Sequence, residues 1–321
     1  MSSSLIDKVG PKPLPSAISD LEEIRAFSRV QLIAFDLDGT LIGQPAAPLG
    51  PRLLKLMSSM ARSNVMVTLA TGRTLTGVAS ALGDLRGLGT VPLVLYNGSV
   101  VMQADQEALI YHQAIPDETV DAIFRYTLND PAISSFFYSV DPGARVLDVF
   151  AEPESVFYAG AMHPPTVDFN GMRVRSANSD TLASVKIVAI LIQIEDTERR
   201  QAAKHMLANL EGISVTASGS KYIELRPAGS SKAVGLQHYC DRAGISAARV
   251  LAMGDNDNDA ELLAWAGISV CVKNASAGAC AVSQFQSAHG AGNAAIEVLE
   301  IVRRAQRLFK DRKKNDNATS Q

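Results

Sequence analysis

The sequence predicts an α/β fold: a Rossmann-like, doubly wound parallel sheet interrupted by an inserted α+β module. Three observations predict it. Short apolar runs alternate with helical patterns from Val30 to Tyr96, and the same alternation returns after Pro227. The runs lack internal polar alternation, as strands covered on both faces do. Between the two stretches, hairpin-like pairs mix with helices, which is the signature of an antiparallel α+β unit.

Residues 1–29 form an N-terminal extension. Met1 to Pro15 is rich in Ser, Pro and Gly and reads as a mobile lead-in. Ser19-Asp20-Leu21-Glu22-Glu23 opens a helix with acids in its first turn. Gln31 to Phe35 is the first strand and stops at Asp36. Apolar spacing at Leu53, Leu56, Met57 and Met60 predicts a helix over Pro51 to Ser63. Val65 to Ala70 is a second strand, ending at Thr71-Gly72-Arg73. Thr74 to Leu85 is helical, and Val91 to Tyr96 is a third strand, ending at Asn97-Gly98.

The inserted module follows. Val100 to Met102 and Ala108 to His112 flank a polar turn and predict a hairpin. Asp117 to Leu128 is helical. Phe136 to Val140 and Arg145 to Phe150 flank Asp141-Pro142-Gly143, a strong turn signal. Val185 to Ile194 is a strand, Thr197 to Leu210 a helix, and Ile213 to Ala217 pairs with Tyr222 to Arg226. The first pattern then resumes: a helix over Ser231 to Ala243, a strand over Val250 to Met253, a helix over Ala260 to Ala266, a strand over Ile268 to Val272, and a last helix over Gly292 to Leu308. The expected domains are a core of 30–103 and 227–309, an inserted domain of 104–226 including linkers, and a disordered polar tail of 310–321.

Composition narrows the function classes. Hydrophobic residues make up 47% and charged residues 20%, enough apolar surface for ordinary cores. The net charge of −3 gives no electrostatic reason to expect nucleic acid. No apolar run approaches the ~20 residues of a membrane span, and the N-terminus lacks a signal-peptide pattern. The cytoplasm is the expected location. The three cysteines, Cys240, Cys271 and Cys280, fit no disulfide framework. With His289 they match no zinc spacing, and two of them sit in small, apolar surroundings that suit buried thiols.

The chemistry gathers at strand ends. Asp36 and Asp38, Thr71, and Asp255 each follow a predicted strand of the parallel sheet, and Lys232 opens a helix. Open parallel sheets bind ligands at the carboxyl ends of their strands. Asp36, Asp38, Asp255, Asp257 and Asp259 would repel one another if brought together, and a hard cation with oxygen ligands relieves that repulsion. Mg²⁺ suits a site shared by carboxylates, water and a substrate phosphate. Gly39 permits a tight turn after the acids, Lys232 opposes phosphoryl charge and Thr71 donates to it. These parts fit phosphoryl transfer. A calcium loop over Gly254 to Asp259 lacks the central glycine and closing glutamate that such loops carry.

These residues resemble the haloacid dehalogenase superfamily of phosphohydrolases. The motifs stand in family order: Asp36-Leu37-Asp38-Gly39-Thr40, Thr71 before Gly72-Arg73, Lys232, and Gly254-Asp255 with Asn258-Asp259. The long insert, Asn97-Gly98, Gly229-Ser230-Ser231-Lys232 and Asn274-Ala275 resemble the Cof-like subgroup with a type II cap. One departure is Ala288-His289-Gly290-Ala291-Gly292-Asn293, where the subgroup often has an acidic-Gly-Val segment. The resemblance implies a phosphatase for small phosphate monoesters, such as sugar phosphates. It implies that Asp36 is the covalent nucleophile and Asp38 the acid and base. Asp36, the Asp38 carbonyl and Asp255 hold Mg²⁺, supported by Asn258 and Asp259. Thr71, Gly72 and Lys232 bind the phosphoryl group. Arg73, Asn97 and Asn274, and in the cap His163, Arg173 and Arg175, are candidates for the substrate side. The implied partner is a small phosphate ester, with no nucleic acid or membrane. A sugar phosphomutase and an inactive phosphate-ester-binding regulator are the alternatives, and a P-type ATPase would need membrane helices that the sequence lacks.

Overall fold

A computed structural model describes residues 10–16, 21–43, 49–82, 92–103, 108–141, 153–161, 163–168, 171–218 and 221–318. The chain forms two compact units, Met1–Ala70 with Cys240–Gln321, and Thr71–Tyr239.

The first unit is a parallel sheet with helices. Its strands are β1 (Lys12–Pro13), β2 (Leu32–Phe35), β3 (Met66–Ala70), β13 (Val250–Gly254), β14 (Ile268–Cys271) and β15 (Phe285–Gln286), in the order β1-β15-β14-β13-β2-β3. Every pairing among them is parallel. β2, β13 and β14 are buried along their whole length, which explains their unbroken apolar runs. Register sets Met253 opposite Phe35 and Phe35 opposite Leu69. The three strands therefore end level, with Asp36, Asp255 and the chain entering Thr71 just beyond them.

Its helices are α1 (Leu21–Phe27), α2 (Pro51–Ala61), α8 (Ala260–Trp265), α9 (Ala277–Val282) and α10 (Ala291–Ala318). Pro51 opens α2, where its fixed φ costs no hydrogen bond. α2 buries Leu53, Leu56, Met57 and Met60, the stripe that the sequence spacing predicts, and packs on α10. α10 buries Ala294, Ala295, Val298, Leu299, Val302 and Ala305. It continues to Ala318, past the end expected at Leu308 and through most of the tail read as disordered. No Gly or Pro interrupts Lys310 to Ala318.

The second unit contains α3 (Leu75–Leu82), β4 (Pro92–Leu95), β5 (Val100–Gln103) and β6 (Leu109–His112). β4, β5 and β6 pair antiparallel in succession, so the two expected strands Val100–Met102 and Ala108–His112 lie side by side. A six-stranded sheet follows. Its strands are β7 (Ser134–Val140), β8 (Glu154–Gly160), β9 (Val174–Ser176), β10 (Lys186–Gln193), β11 (Ile213–Ser218) and β12 (Tyr222–Pro227), in the order β11-β12-β10-β7-β8-β9. It is antiparallel except for β8 beside β9. The expected strand Arg145 to Phe150 and its turn at Pro142-Gly143 lie outside the described residues, and the observed partner of β7 is Glu154–Gly160.

Helices α4 (Asp117–Leu128), α5 (Ser179–Ala183) and α6 (Thr197–Leu207) accompany this sheet, and α7 (Lys232–Ala243) begins in the same unit. Ile123, Phe124 and Leu207 from the helices pack with Phe137, Phe157, Ile190, Ile223 and Leu225 from the strands. Side chains alternate across a strand, so Tyr222, Glu224 and Arg226 of β12 stand on the opposite face. Phe137 lies at the centre of this core with 0% exposure. Phe137→Ala removes a fully buried ring and lowers unfolding stability by about 3–5 kcal/mol in urea titrations; a loss below about 1 kcal/mol would contradict this placement.

Candidate active site

The first unit carries an acidic cluster at its strand ends. Asp36 follows β2 directly and is 5% exposed, with its amide donating to the Met253 carbonyl at 2.9 Å. The chain then turns back. Gly39 N donates to Ile42 O at 2.7 Å, and Asp38 bridges to Ile42. Gly39 has φ +92°, and a Cβ there would overlap the Asp255 carboxylate. Glycine is therefore required twice over, for backbone conformation and for room. Thr40 is buried and its hydroxyl lies 3.2 Å from Asp255 Oδ1 as donor. Asp38 is exposed on the same loop.

Asp259 completes the cluster. It is 0% exposed, and its Oδ2 accepts from the amides of Asp255 at 2.9 Å and Asn256 at 3.1 Å. Gly254 has no Cβ, which leaves space for the Asp259 side chain. Carboxylate oxygens of Asp36, Asp255 and Asp259 lie within 4.8 Å of one another. Among the described residues this is the one grouping of His, Cys, Asp or Glu placed to hold an ion. Its hard oxygen donors fit a hard divalent cation and not a soft one. Asn258 is exposed nearby in sequence, and Asp257 accepts from Ser276 Oγ at 2.6 Å. The loop around Ser276 is tied in through its amide, which donates to Asp255 O at 2.7 Å. Asn274 is exposed beside Gly290.

The cysteines are free thiols, with Cys240 and Cys271 buried and Cys280 half-buried. Cys271 and Cys280 approach to 3.5 Å. Burial, and then the neighbouring thiol, push the Cys271 thiol up to about 12.

The second unit assembles the other predicted residues around one strained turn. Thr71 is buried; its amide donates to Val94 O and its carbonyl accepts from Asn97 N, both at 2.9 Å. Tyr96, Asn97 and Gly98 all have positive φ, at 49°, 53° and 99°. Asn tolerates this region, whereas a bulky Tyr does so only under constraint. Gly98 passes so close to the Ser231 carbonyl that a Cβ would collide with it. Gly72 leans on the Asn97 amide, which a Cβ would meet at 2.9 Å. Lys232 opens α7 with 1% exposure. A buried cation at a helix N-terminus opposes the helix dipole, so helix stability does not explain it. Arg73 turns back to the Gly77 carbonyl at 3.0 Å, and His163, Arg173 and Arg175 are exposed.

Sequence reasoning missed Glu154. It is 5% exposed and accepts from the amides of Leu75 at 2.8 Å and Thr76 at 3.1 Å, and from the Thr76 hydroxyl at 3.3 Å. It thus satisfies the first turn of α3, the helix that follows Thr71-Gly72-Arg73. No local pattern signals it, because cap and helix are far apart in sequence. Burial raises the Glu154 carboxyl above its usual range, although the hydrogen bonds oppose the shift. Burial, then the Glu154 charge, holds the Tyr96 phenol protonated.

A family model described as haloacid dehalogenase-like hydrolase matches residues 33–299. The chain belongs to the haloacid dehalogenase-like hydrolases. It is a Cof-like member, in the class of hydrolases that act on phosphoric monoesters. It is 24% identical over 270 residues to the 5-amino-6-(5-phospho-D-ribitylamino)uracil phosphatase of Bacillus subtilis (strain 168), covering 77% of this chain and 88% of that relative. It is 26% identical over 249 residues to the HMP-PP phosphatase of Escherichia coli O157:H7, covering 76% and 85%. A haloacid dehalogenase-like hydrolase structure from Bacteroides thetaiotaomicron shares the fold with a TM-score of 0.69 at 22% identity, covering 84% of this chain and 98% of that one. Among the described residues of this hydrolase, no helix is long and apolar enough to cross a membrane.

The raised Glu154 carboxyl gives a pH signature. The native state holds this proton more tightly than the unfolded state, so the contribution is full below the ordinary carboxylate range. It is lost as pH rises through the raised native value. Glu154→Gln removes that descending segment from stability measured by urea titration between pH 4 and 8. Superimposable pH slopes for the two proteins would contradict it.

Proposed function

We propose that this hydrolase is a Mg²⁺-dependent phosphatase of small phosphate monoesters, sugar phosphates or similar metabolites, working through a phosphorylated Asp36. The observation that carries the reading is the convergence of Asp36, Asp255 and Asp259 at the level ends of adjacent parallel strands. Such a cluster is costly without a cation and useful with one. In this reading Asp36, Asp255 and the Asp38 carbonyl hold the ion, and Asp259 and Asn258 support them. When bound, the ion supplies positive charge against the acids and the substrate phosphate. The relatives' names, both phosphatases and one of a 5-phospho compound, support the reading.

The protein groups carry the reaction in two steps. Asp36 attacks phosphorus with a carboxylate oxygen, and the bond from phosphorus to the leaving oxygen breaks. Asp38 gives its proton to that oxygen. Asp38 then takes a proton from water, whose oxygen attacks phosphorus and breaks the bond to Asp36, releasing phosphate. Asp38's exposed place on the Asp36 loop suits a group that exchanges protons with solvent and leaving group. The family motifs give Thr71, with Gly72, and Lys232 the phosphoryl oxygens, where a buried ammonium opposes developing charge. The same reading makes residues 104–226 the cap and 30–103 with 227–309 the core, and puts the protein in the cytoplasm.

Asp36→Asn is expected to lower kcat for a phosphate ester by at least about 10³-fold. Its metal-free melting temperature should be equal to or above wild type, because one like charge is gone. Retained turnover would remove the nucleophile assignment. Chelator-treated wild-type protein should release no phosphate until Mg²⁺ is restored. Saturating Mg²⁺ should raise its melting temperature and leave that of Asp255→Ala unmoved; equal shifts in both would place the ion elsewhere.

A further inference from the structure

The face of the six-stranded sheet opposite Phe137 and Phe157 carries polar groups to which the catalytic assignment gives no role. Asn97 Nδ2 donates to Glu224 Oε1 at 2.8 Å. Arg226 Nε stands 3.8 Å from that same oxygen, beyond hydrogen-bond range. Both side chains are largely covered, at 12% exposure for Arg226 and 15% for Glu224. The Arg226 Nε–H is nevertheless buried without a hydrogen-bond partner. A buried unsatisfied donor costs about 1–3 kcal/mol, so its retention calls for a reason. β11 sets Thr216 opposite Glu224 and Ser214 opposite Arg226, which continues a polar row on this face.

The row connects to the proposed phosphoryl-binding loop. Gly72 lies against the Asn97 amide, and the Asn97 amide holds Glu224. We infer that Glu224 and Arg226 read the leaving group of the phosphate ester and select a neutral, hydroxyl-bearing one. This rests on the phosphatase reading above and deepens it. With Oε1 engaged by Asn97, Glu224 Oε2 is the acceptor for a hydroxyl proton. Arg226 Nε–H is the donor to a neighbouring hydroxyl or ring oxygen. A polyol or sugar presents both functions side by side. The formal charges of the pair cancel, so a second phosphate gains little from Arg226 and meets the Glu224 carboxylate. A bare aromatic leaving group makes neither hydrogen bond.

The test compares fructose 6-phosphate, fructose 1,6-bisphosphate and p-nitrophenyl phosphate with the full-length enzyme and Mg²⁺. The readout is a ratio of kcat/KM values measured on one preparation, which cancels any inactive fraction. Arg226→Met keeps the apolar stem and removes the donor. It should lower the fructose 6-phosphate over p-nitrophenyl phosphate ratio at least fivefold, chiefly through KM. Glu224→Gln keeps an oxygen for Asn97 and removes the charge. It should raise the ratio of bisphosphate over monophosphate at least fivefold. Smaller changes, or equal losses on all esters in both variants, would overturn the assignment of Glu224 and Arg226. Absence of turnover by the wild-type enzyme on all three esters would overturn the phosphatase reading instead.

Discussion

Like charges held close together govern the first unit. The Asp36, Asp255 and Asp259 carboxylates share 4.8 Å, and two unit charges ~4 Å apart interact with about 4 kcal/mol at an effective dielectric near 20. Several devices hold them there against that repulsion. Parallel register brings β2 and β13 to the same level. Gly39 and Gly254 leave room where any Cβ would strike an acid. Two backbone amides fix Asp259, and the Thr40 hydroxyl reaches Asp255. The register and the glycines suit a cation and a phosphoryl group, while Asp259 also closes a capping box with Asn256 that stabilises the loop itself.

The second unit stores its own strain. Tyr96 and Asn97 at positive φ cost free energy locally, and a lysine and a glutamate are buried at two helix starts. They converge on the loops after β3, after β4 and before α7. Strain confined to such loops is characteristic of sites that must hold a shape before substrate arrives. Glu154 is instructive because it links a strand of the six-stranded sheet to the helix following Thr71.

Much of this was legible in the sequence, for specific reasons. Asp36 and Asp255 stood out because each ends an apolar run that a parallel sheet must bury, and the level strand ends follow from that burial. Thr71 and Lys232 carried less local signal and gained theirs from order along the chain. Asp141-Pro142-Gly143 signals a turn after β7, and among the described residues the strand that pairs with β7 beyond it is Glu154–Gly160. Glu154 itself left no trace, since its partners at Leu75 and Thr76 are fixed by tertiary packing and not by spacing. Glu224 and Arg226 were half visible. The alternation Tyr222-Ile223-Glu224-Leu225-Arg226 marks a strand with one polar face, but only the fold brings Asn97 to that face.

In the proposed mechanism, phosphate leaves the substrate by way of a covalent bond to Asp36. Rapid acid quenching during turnover, followed by borohydride reduction and peptide mass mapping, tests it most directly. Reduction of an acyl phosphate converts the aspartate to homoserine. Turnover through Asp36 leaves homoserine at position 36 and intact aspartate at 38, 255 and 259. Homoserine at one of those other positions, or at none during demonstrated turnover, would contradict it.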